Sequence, residues 1–291
     1  MAPIAEDLPC SPVLGNEWKA GRLPYLIVRL KQQLLAISSA SVRQLLIVPD
    51  VVAVPGQPTE VRGMINVRGD IMPLVDLRVQ LGMTSLWQDT AQTIEILQER
   101  EQDHKNWLAE LQASVDERRP FKLARDPHQC KFGKWYDTYR PDNQSVAFLS
   151  HWQSFAKPHA RIHAIADRVC QLADRGDFSG ANGIIEAARH GELLEMIGLF
   201  GTARNMLKTT TREVAIVLRQ SNRQLALSAD EVVAVEALHA ATVESCSELA
   251  GVSSTSLTPR IARRHPSGQI VLVTDADRLF EGSYANVGAE K

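Results

Sequence analysis

At 291 residues, and with domains commonly running from ~100 to ~200 residues, the chain is long enough for two domains, each with its own core. Its 44% hydrophobic and 23% charged content is that of an ordinary soluble protein, which excludes a disordered or disulfide-dominated chain. Lys and Arg number 32 against 34 Asp and Glu, a formal net charge of -2, so there is no basic footprint for a nucleic-acid partner.

The first twenty residues carry Glu6, Asp7 and three prolines but no apolar segment of the kind a signal peptide needs. No later apolar stretch approaches the ~20 residues that span a bilayer, so no membrane insertion is expected. Cys10, Cys130, Cys170 and Cys246 lie far apart with no CxxC pair. That usage suits a reducing compartment, and a cytoplasmic protein is the expectation.

Residues 1–22 are Pro-rich, polar and aperiodic, and read as a mobile arm. From Pro24, the apolar runs Tyr25 to Leu30 and Leu34 to Ile37, separated by a short polar break, read as a hairpin. A second strand, turn and strand follows in Met64 to Val67, Arg68-Gly69-Asp70 and Ile71 to Leu77, with Gly69 where a positive φ is needed. Pro73 implies that its strand is exposed at an edge or bulged.

Near Thr84 the texture changes. Ile94, Ile96, Leu97, Trp107, Leu108 and Leu111 recur at the spacing of one helix face. Six of the seven Phe, four of the five Trp and six of the eight His fall between Thr84 and Asn205, so this stretch differs in composition as well as period. Short strands return near Thr211, at Val214 to Leu218, Leu225 to Leu227, Glu231 to Val235 and Ile270 to Val273. A helical module inserted into one β domain, at 87–205 between β segments 23–86 and 206–285, accounts for this order with a single β core. Thr242 to Pro266, rich in Ser, Thr and Arg, reads as a long surface connection.

The helical stretch holds candidate metal ligands. His159 and His163 are spaced i, i+4 on one helix face, as paired ligands require, and the residue after the first His is Ala160, so this is not the HExxH of a zinc peptidase. Cys130 sits in Gln129-Cys130-Lys131-Phe132-Gly133-Lys134-Trp135, where two lysines favour a thiolate and Gly133 permits a tight bend. His104 stands one turn before Trp107. On spacing alone His128, His151 and Cys170 are equally available, and a lone Cys or a His pair also has an ordinary place in a core. The aromatic set Trp107, Phe132, Trp135, Phe148, Trp152 and Phe155 reads as bundle core.

The pattern His104-x-x-Trp107, Cys130-x-Phe132-Gly133-Lys134-Trp135 and His159-x-x-x-His163 resembles the chemoreceptor zinc-binding (CZB) domain. That resemblance implies a four-helix bundle holding one Zn2+ through His104, Cys130, His159 and His163, in a sensor of zinc or of oxidants that attack the zinc-bound thiolate. The stretch Val61-Arg62-Gly63-Met64-Ile65-Asn66-Val67-Arg68-Gly69-Asp70-Ile71-Met72-Pro73-Leu74-Val75-Asp76-Leu77-Arg78, with Leu81-Gly82-Met83, resembles the CheW family of chemosensory coupling proteins. Gln269 to Leu279 resembles that family's closing strand and helix, while Leu225 to Val232 lacks the glycine usual there. The resemblances together imply an α+β chain, a CheW-like pair of SH3-like β-barrels interrupted by a helical-bundle CZB domain. They imply a non-enzymatic adaptor between a CheA-type histidine kinase and methyl-accepting chemoreceptors, with receptor-facing positions at Asn66, Arg68 and Asp70. Two other readings compete. In one the zinc is only structural; in the other the chain is a zinc hydrolase, which needs an open coordination position for water.

Overall fold

The computed structural model describes residues 22–141, 146–239, 244–245, 257–258 and 260–281. All but the last residue of the expected arm, as well as Cys10 and Cys246, lies outside them. The chain divides into two compact units, one from Met1–Ser85 and Arg212–Lys291 and the other from Leu86–Thr211.

The first unit contains β1 (Arg22–Leu30), β2 (Gln33–Ser38), β3 (Val42–Ile47), β4 (Val61–Val67), β5 (Asp70–Asp76), the short helix α1 (Leu77–Gln80), β6 (Val214–Gln220), β7 (Arg223–Ala229), β8 (Glu231–His239), β9 (Glu244–Ser245), β10 (Arg260–Arg263) and β11 (Ile270–Val273). Its closing helix is Ala276–Glu281. Two sheets result, ordered β8-β1-β2-β11-β10-β9 and β3-β6-β7-β5-β4. Each joins strands from before and after the second unit, through β1 with β8, β3 with β6 and β5 with β7.

Alternation along a strand sends neighbouring residues to opposite faces, and here both faces are covered. In β1 Leu26, Val28 and Leu30 enter one apolar core while Tyr25 and Ile27 enter another. In β6 Ile216 and Leu218 enter the first core while Ala215 and Val217 enter a third. Two-sided burial is why these strands read as continuous apolar runs.

The turn from β4 to β5 has Arg68 at φ 56 and Gly69 at φ 98, the two-residue hairpin in which both central residues are left-handed. Asn66 Oδ1 accepts a hydrogen bond from the Gly69 N–H at 2.8 Å and closes it. After β5, Asp76 caps α1 by accepting from the N–H groups of Arg78 and Val79. The buried Arg78 guanidinium forks onto Asp230, with Nε donating to Oδ1 at 2.6 Å and Nη2 to Oδ2. Asp230 also accepts from the Lys31 N–H at 2.7 Å, so one carboxylate ties the β1–β2 turn, α1 and the β7–β8 junction.

Several sequence expectations need correction. Pro73 is buried in β5, which is interior to its sheet, between β4 and β7. Its partner Met64 spends both backbone groups on Val52, so the bond-forming edge of Pro73 faces β7, where registered pairing begins only at Leu74. No ladder bond is lost at the proline. The stretch 242–266 is not connection throughout: Arg260–Arg263 pairs with Ile270–Val273 as an antiparallel strand, its apolar content limited to Ile261 and Ala262. β3 was not legible, because its alternate residues are exposed and its pattern is weak. The helical stretch ends later than 205, since its last helix runs Glu192–Thr210 and Leu207 is buried in it.

The second unit holds α2 (Leu86–Asp116), a 3-10 turn at Pro127–Gln129, α3 (Lys131–Thr138), α4 (Val146–Gln153), α5 (Ala156–Asp174), α6 (Phe178–His190) and α7 (Glu192–Thr210). Pro158 lies in the first turn of α5, where a missing N–H leaves no helical bond unmade. α6 and α7 are separated only by Gly191. Their apolar faces make two cores. Trp107, Leu108, Leu111, Ile162 and Ala166 belong to one, and Leu97, Phe132, Phe148, Phe155 and Phe200 to the other. Among the described residues no helix is long and apolar enough to cross a membrane.

Removing one partner from a buried ion pair strands the other charge, a loss of about 3–5 kcal/mol. Asp230→Ala is therefore expected to destabilise the β unit by that order in chemical denaturation followed by circular dichroism. A loss below about 1 kcal/mol, the value of a surface pair, would remove Asp230 from its role as a tie.

Candidate metal centre

The seam between the two cores of the helical unit is polar. On α2, His104 lies between Leu97 of one core and Trp107 and Leu108 of the other; on α5, His159 and His163 lie between Phe155 and Ala166. All three imidazoles are buried. Cys130 stands at the N-cap of α3 and turns its sulfur toward them. One ligand atom from each of His104, Cys130, His159 and His163 lies within 4.8 Å of the others.

Local structure aims each side chain. The i, i+4 spacing places His159 and His163 on one face of α5, with ring centroids 4.8 Å apart. Nδ1 of His104 lies 2.7 Å from the Arg100 carbonyl. A carbonyl only accepts, so Nδ1 carries the hydrogen and Nε2 is left as a lone-pair donor to the centre. Cys130 Sγ is 3.2 Å from His159 Nε2 and accepts from the Gly133 N–H at 3.1 Å. Gly133 is not a bend, as the sequence suggested. It lies within α3, and a Cβ there would fall 1.9 Å from the Pro127 carbonyl oxygen, so glycine is what lets the helix start close against the preceding turn. Trp107 lies against His163 at 4.8 Å and Phe132 against His159 at 4.8 Å, edges and faces that fix the rings. Beside His104, Glu101 of α2 reaches Lys105 and, on α7, Arg204 at 2.6 Å.

The electrostatics suit neutral ligands. Burial pushes His159 down to about 3 and His163 down to about 4, with His104 adding to both shifts, and burial lowers His104 itself. The three rings are thus neutral at pH 7. Burial raises the Cys130 thiol, against the pull of the Gly133 N–H. His104 Nε2 has no hydrogen-bond partner, and neither ring nitrogen of His163 makes one of normal geometry although the Ala124 and Arg125 carbonyls are near. Orphaned buried nitrogens of this kind each carry a desolvation penalty of about 1–3 kcal/mol unless something binds them. Three imidazoles and one sulfur are the donor set of a tetrahedral zinc site, whose bonds of ~2.0–2.3 Å need donor separations of roughly 3.3–3.8 Å. Small side-chain movements bring the present atoms to that spacing.

The alternatives left open by spacing lie elsewhere. His128 is exposed and bonds Asp137 at 2.9 Å, His151 meets the Leu199 carbonyl at 2.9 Å, and Cys170 lines a separate pocket with Arg118 and Asp174. Asn66, Arg68 and Asp70 are exposed together at the β4–β5 turn, in the first unit. The Arg100 carbonyl was not legible in the sequence, since a backbone contact leaves no mark on residue type.

Residues 24–106 match the CheW-like domain family and residues 104–170 match the chemoreceptor zinc-binding domain family. The first match runs past the opening β segment into α2, and the strands that follow α7 lie outside both. A comparison with curated proteins gives no match. Among solved structures the chain is similar to the scaffolding protein TtCheW from Thermoanaerobacter tengcongensis, with 11% identity, a TM-score of 0.42 and coverage of 90% of this chain and 94% of that one. The chain thus joins a CheW-like domain to a chemoreceptor zinc-binding domain that follows it in sequence.

Proposed function

We propose that this protein is a non-enzymatic cytoplasmic adaptor that couples a CheA-type histidine kinase to methyl-accepting chemoreceptors, and that Zn2+ held by the inserted helical unit tunes the coupling. The observation that carries this reading is the convergence of His104, Cys130, His159 and His163 within 4.8 Å in a chain whose first strands are CheW-like. When bound, the metal supplies a cross-link between α2, the start of α3 and α5, and it holds Cys130 as a thiolate. The chain's own residues do the rest. The Arg100 carbonyl orients His104, the Gly133 N–H supports charge on the sulfur, and Trp107 and Phe132 hold the rings of His163 and His159. Four protein donors fill a tetrahedron and leave no position for a water, which argues against a zinc hydrolase. Loss of the metal would release all four ligands and oxidation of its thiolate would free one corner of the cross-link, and either is the event a sensor of zinc or oxidants would transmit.

The purified protein should carry about one zinc per chain. Cys130→Ala should lose most of it and Cys170→Ala should keep it, by elemental analysis; the opposite pattern would reassign the sulfur ligand. Because the imidazoles are already neutral and the thiol is held protonated by burial, binding should release about one proton per metal. Apparent affinity should then rise by about tenfold per pH unit between pH 6.5 and 7.5, in competition with a chromophoric chelator. A flat profile would mean that the sulfur is not a ligand.

The sign is different for the metal-free fold. His159 and His163 have folded values of about 3 and about 4, below the 6.5 they regain on unfolding, so their contribution is present above 6.5 and is lost as pH falls toward 4. The thermal midpoint of stripped protein should be level above pH 7 and fall below it, while zinc-loaded protein resists the fall until the metal dissociates. An unchanged midpoint at pH 5 would show that the histidines are not buried in the stripped state.

We assign the receptor-facing contact to Asn66, Arg68 and Asp70. Asn66 also closes the turn, which leaves Arg68 as the side chain freest to make a charge-assisted bond. Arg68→Glu should weaken capture of receptor and kinase on a sensor surface while shifting the melting midpoint little, since the side chain is exposed. Stripping zinc should change the same affinity in wild type and not in Cys130→Ala. Equal affinities for loaded and stripped wild type would reduce the zinc to a structural part.

A further inference from the structure

A pocket of about 280 Å³ opens beside the candidate metal centre, bounded by α2, the loop at Leu123 and Ala124, and the start of α3. Its lining includes His104, Cys130 and His163, three of the four donors, while His159 lies outside it. The unpartnered His104 Nε2 and the unpartnered ring nitrogens of His163 belong to side chains that line it, and both residues are more than nine-tenths buried. Trp107 and Phe132 give it apolar walls, also buried. Its rim is polar, with Asp103, Asn106, Gln129 and Lys131. Lys131 Nζ lies 3.5 Å from Asp103 Oδ1, and Asp103 also meets Arg100, which in turn meets Glu99. The rim charges therefore balance in sign and give no net attraction to an anion.

We propose that this pocket is the route by which small, uncharged, thiol-directed molecules reach Cys130 Sγ, and that it discriminates against anions of the same size. The inference rests on the metal reading above and adds to it the chemical class of what the site admits. An anion entering must shed water against Trp107 and Phe132 with no unpaired cation to receive it. A neutral molecule of a few heavy atoms meets no such penalty and finds Cys130 partly exposed in the pocket lining. Cys170 provides the contrast within the same chain: its own pocket of about 240 Å³ is lined by Asp174, by Arg119, which Glu110 and Glu117 neutralise, and by Arg118, whose guanidinium lies over the Phe178 ring and meets no carboxylate among the described residues.

The experiment compares iodoacetamide with iodoacetate, two alkylating reagents of similar size that differ in charge; in both, the thiolate sulfur bonds the CH2 carbon as the C–I bond breaks and iodide leaves to solvent. Rates at Cys130 and Cys170 are read by peptide mass spectrometry on the full chain, zinc-stripped and zinc-loaded. In the stripped protein the amide-to-acetate ratio at Cys130 should exceed that at Cys170 by about tenfold or more. Asn106→Trp, at an exposed rim position of α2, should slow labelling of Cys130 several-fold and leave Cys170 labelling and zinc content unchanged. Gln129→Trp, on the turn before Cys130, does the same from another element if the first variant fails to hold zinc. Equal ratios at the two cysteines, or a zinc-competent rim variant that labels at the wild-type rate, would overturn the pocket alone. Failure of zinc to protect Cys130 from iodoacetamide would instead overturn the ligand assignment beneath it.

Discussion

The helical unit is organised around a group of polar side chains that its own interior does not satisfy. His104, His159, His163 and Cys130 sit where two apolar cores meet, and several of their ring nitrogens have no hydrogen-bond partner. Buried polar groups left in this state oppose folding. A packed interior tolerates them only where another free energy offsets the loss, and metal coordination supplies that in small metal-binding domains. The same burial keeps the imidazoles neutral, which is the form a metal needs. Stability and ligand chemistry are thus two consequences of one placement.

The β unit answers a different constraint. Its two sheets are assembled from strands on both sides of the helical unit, so no sheet is complete until the chain has returned at β6. Four pairings, β1 with β8, β2 with β11, β3 with β6 and β5 with β7, and the buried Arg78 to Asp230 fork carry that closure. The fork joins residues far apart in sequence, and Asp230 also takes the Lys31 N–H, so one side chain specifies how three separate segments meet. Buried ion pairs seldom add much net stability, but a broken one is expensive. That asymmetry selects against any packing in which the later strands return out of register.

Legibility in the sequence followed the strength of the local signal. The hairpin at Arg68 and Gly69 was readable because a two-residue turn demands left-handed backbone and glycine supplies it. β1, β2, β6 and β7 were readable because burial on two faces makes dense apolar runs. β3 and β10 were missed for other reasons: β10 has only Ile261 and Ala262 between two arginines, and the apolar residues Leu45, Leu46 and Ile47 of β3 fall on both faces without alternation. Pro73 misled because the rule against proline concerns a bond on one particular side of the strand, and residue type does not say which side faces a partner.

The sequence by itself determined the periods, two textures of chain, and the His and Cys spacings that resemble a zinc-binding domain. These are local properties, set by residues within a few turns of one another, and spacing alone left His128, His151 and Cys170 as equal candidates. Only the tertiary structure decided which of them stand together, with His104 of α2, Cys130 at the start of α3 and His159 and His163 of α5 within 4.8 Å of one another, and His128, His151 and Cys170 at a carboxylate, a carbonyl and a separate pocket. It also decided that Gly133 serves a close backbone approach and that Asp230 binds a distant arginine. Such contacts depend on distances between elements remote in the chain, and those distances follow from how whole faces pack, which no short stretch of sequence encodes.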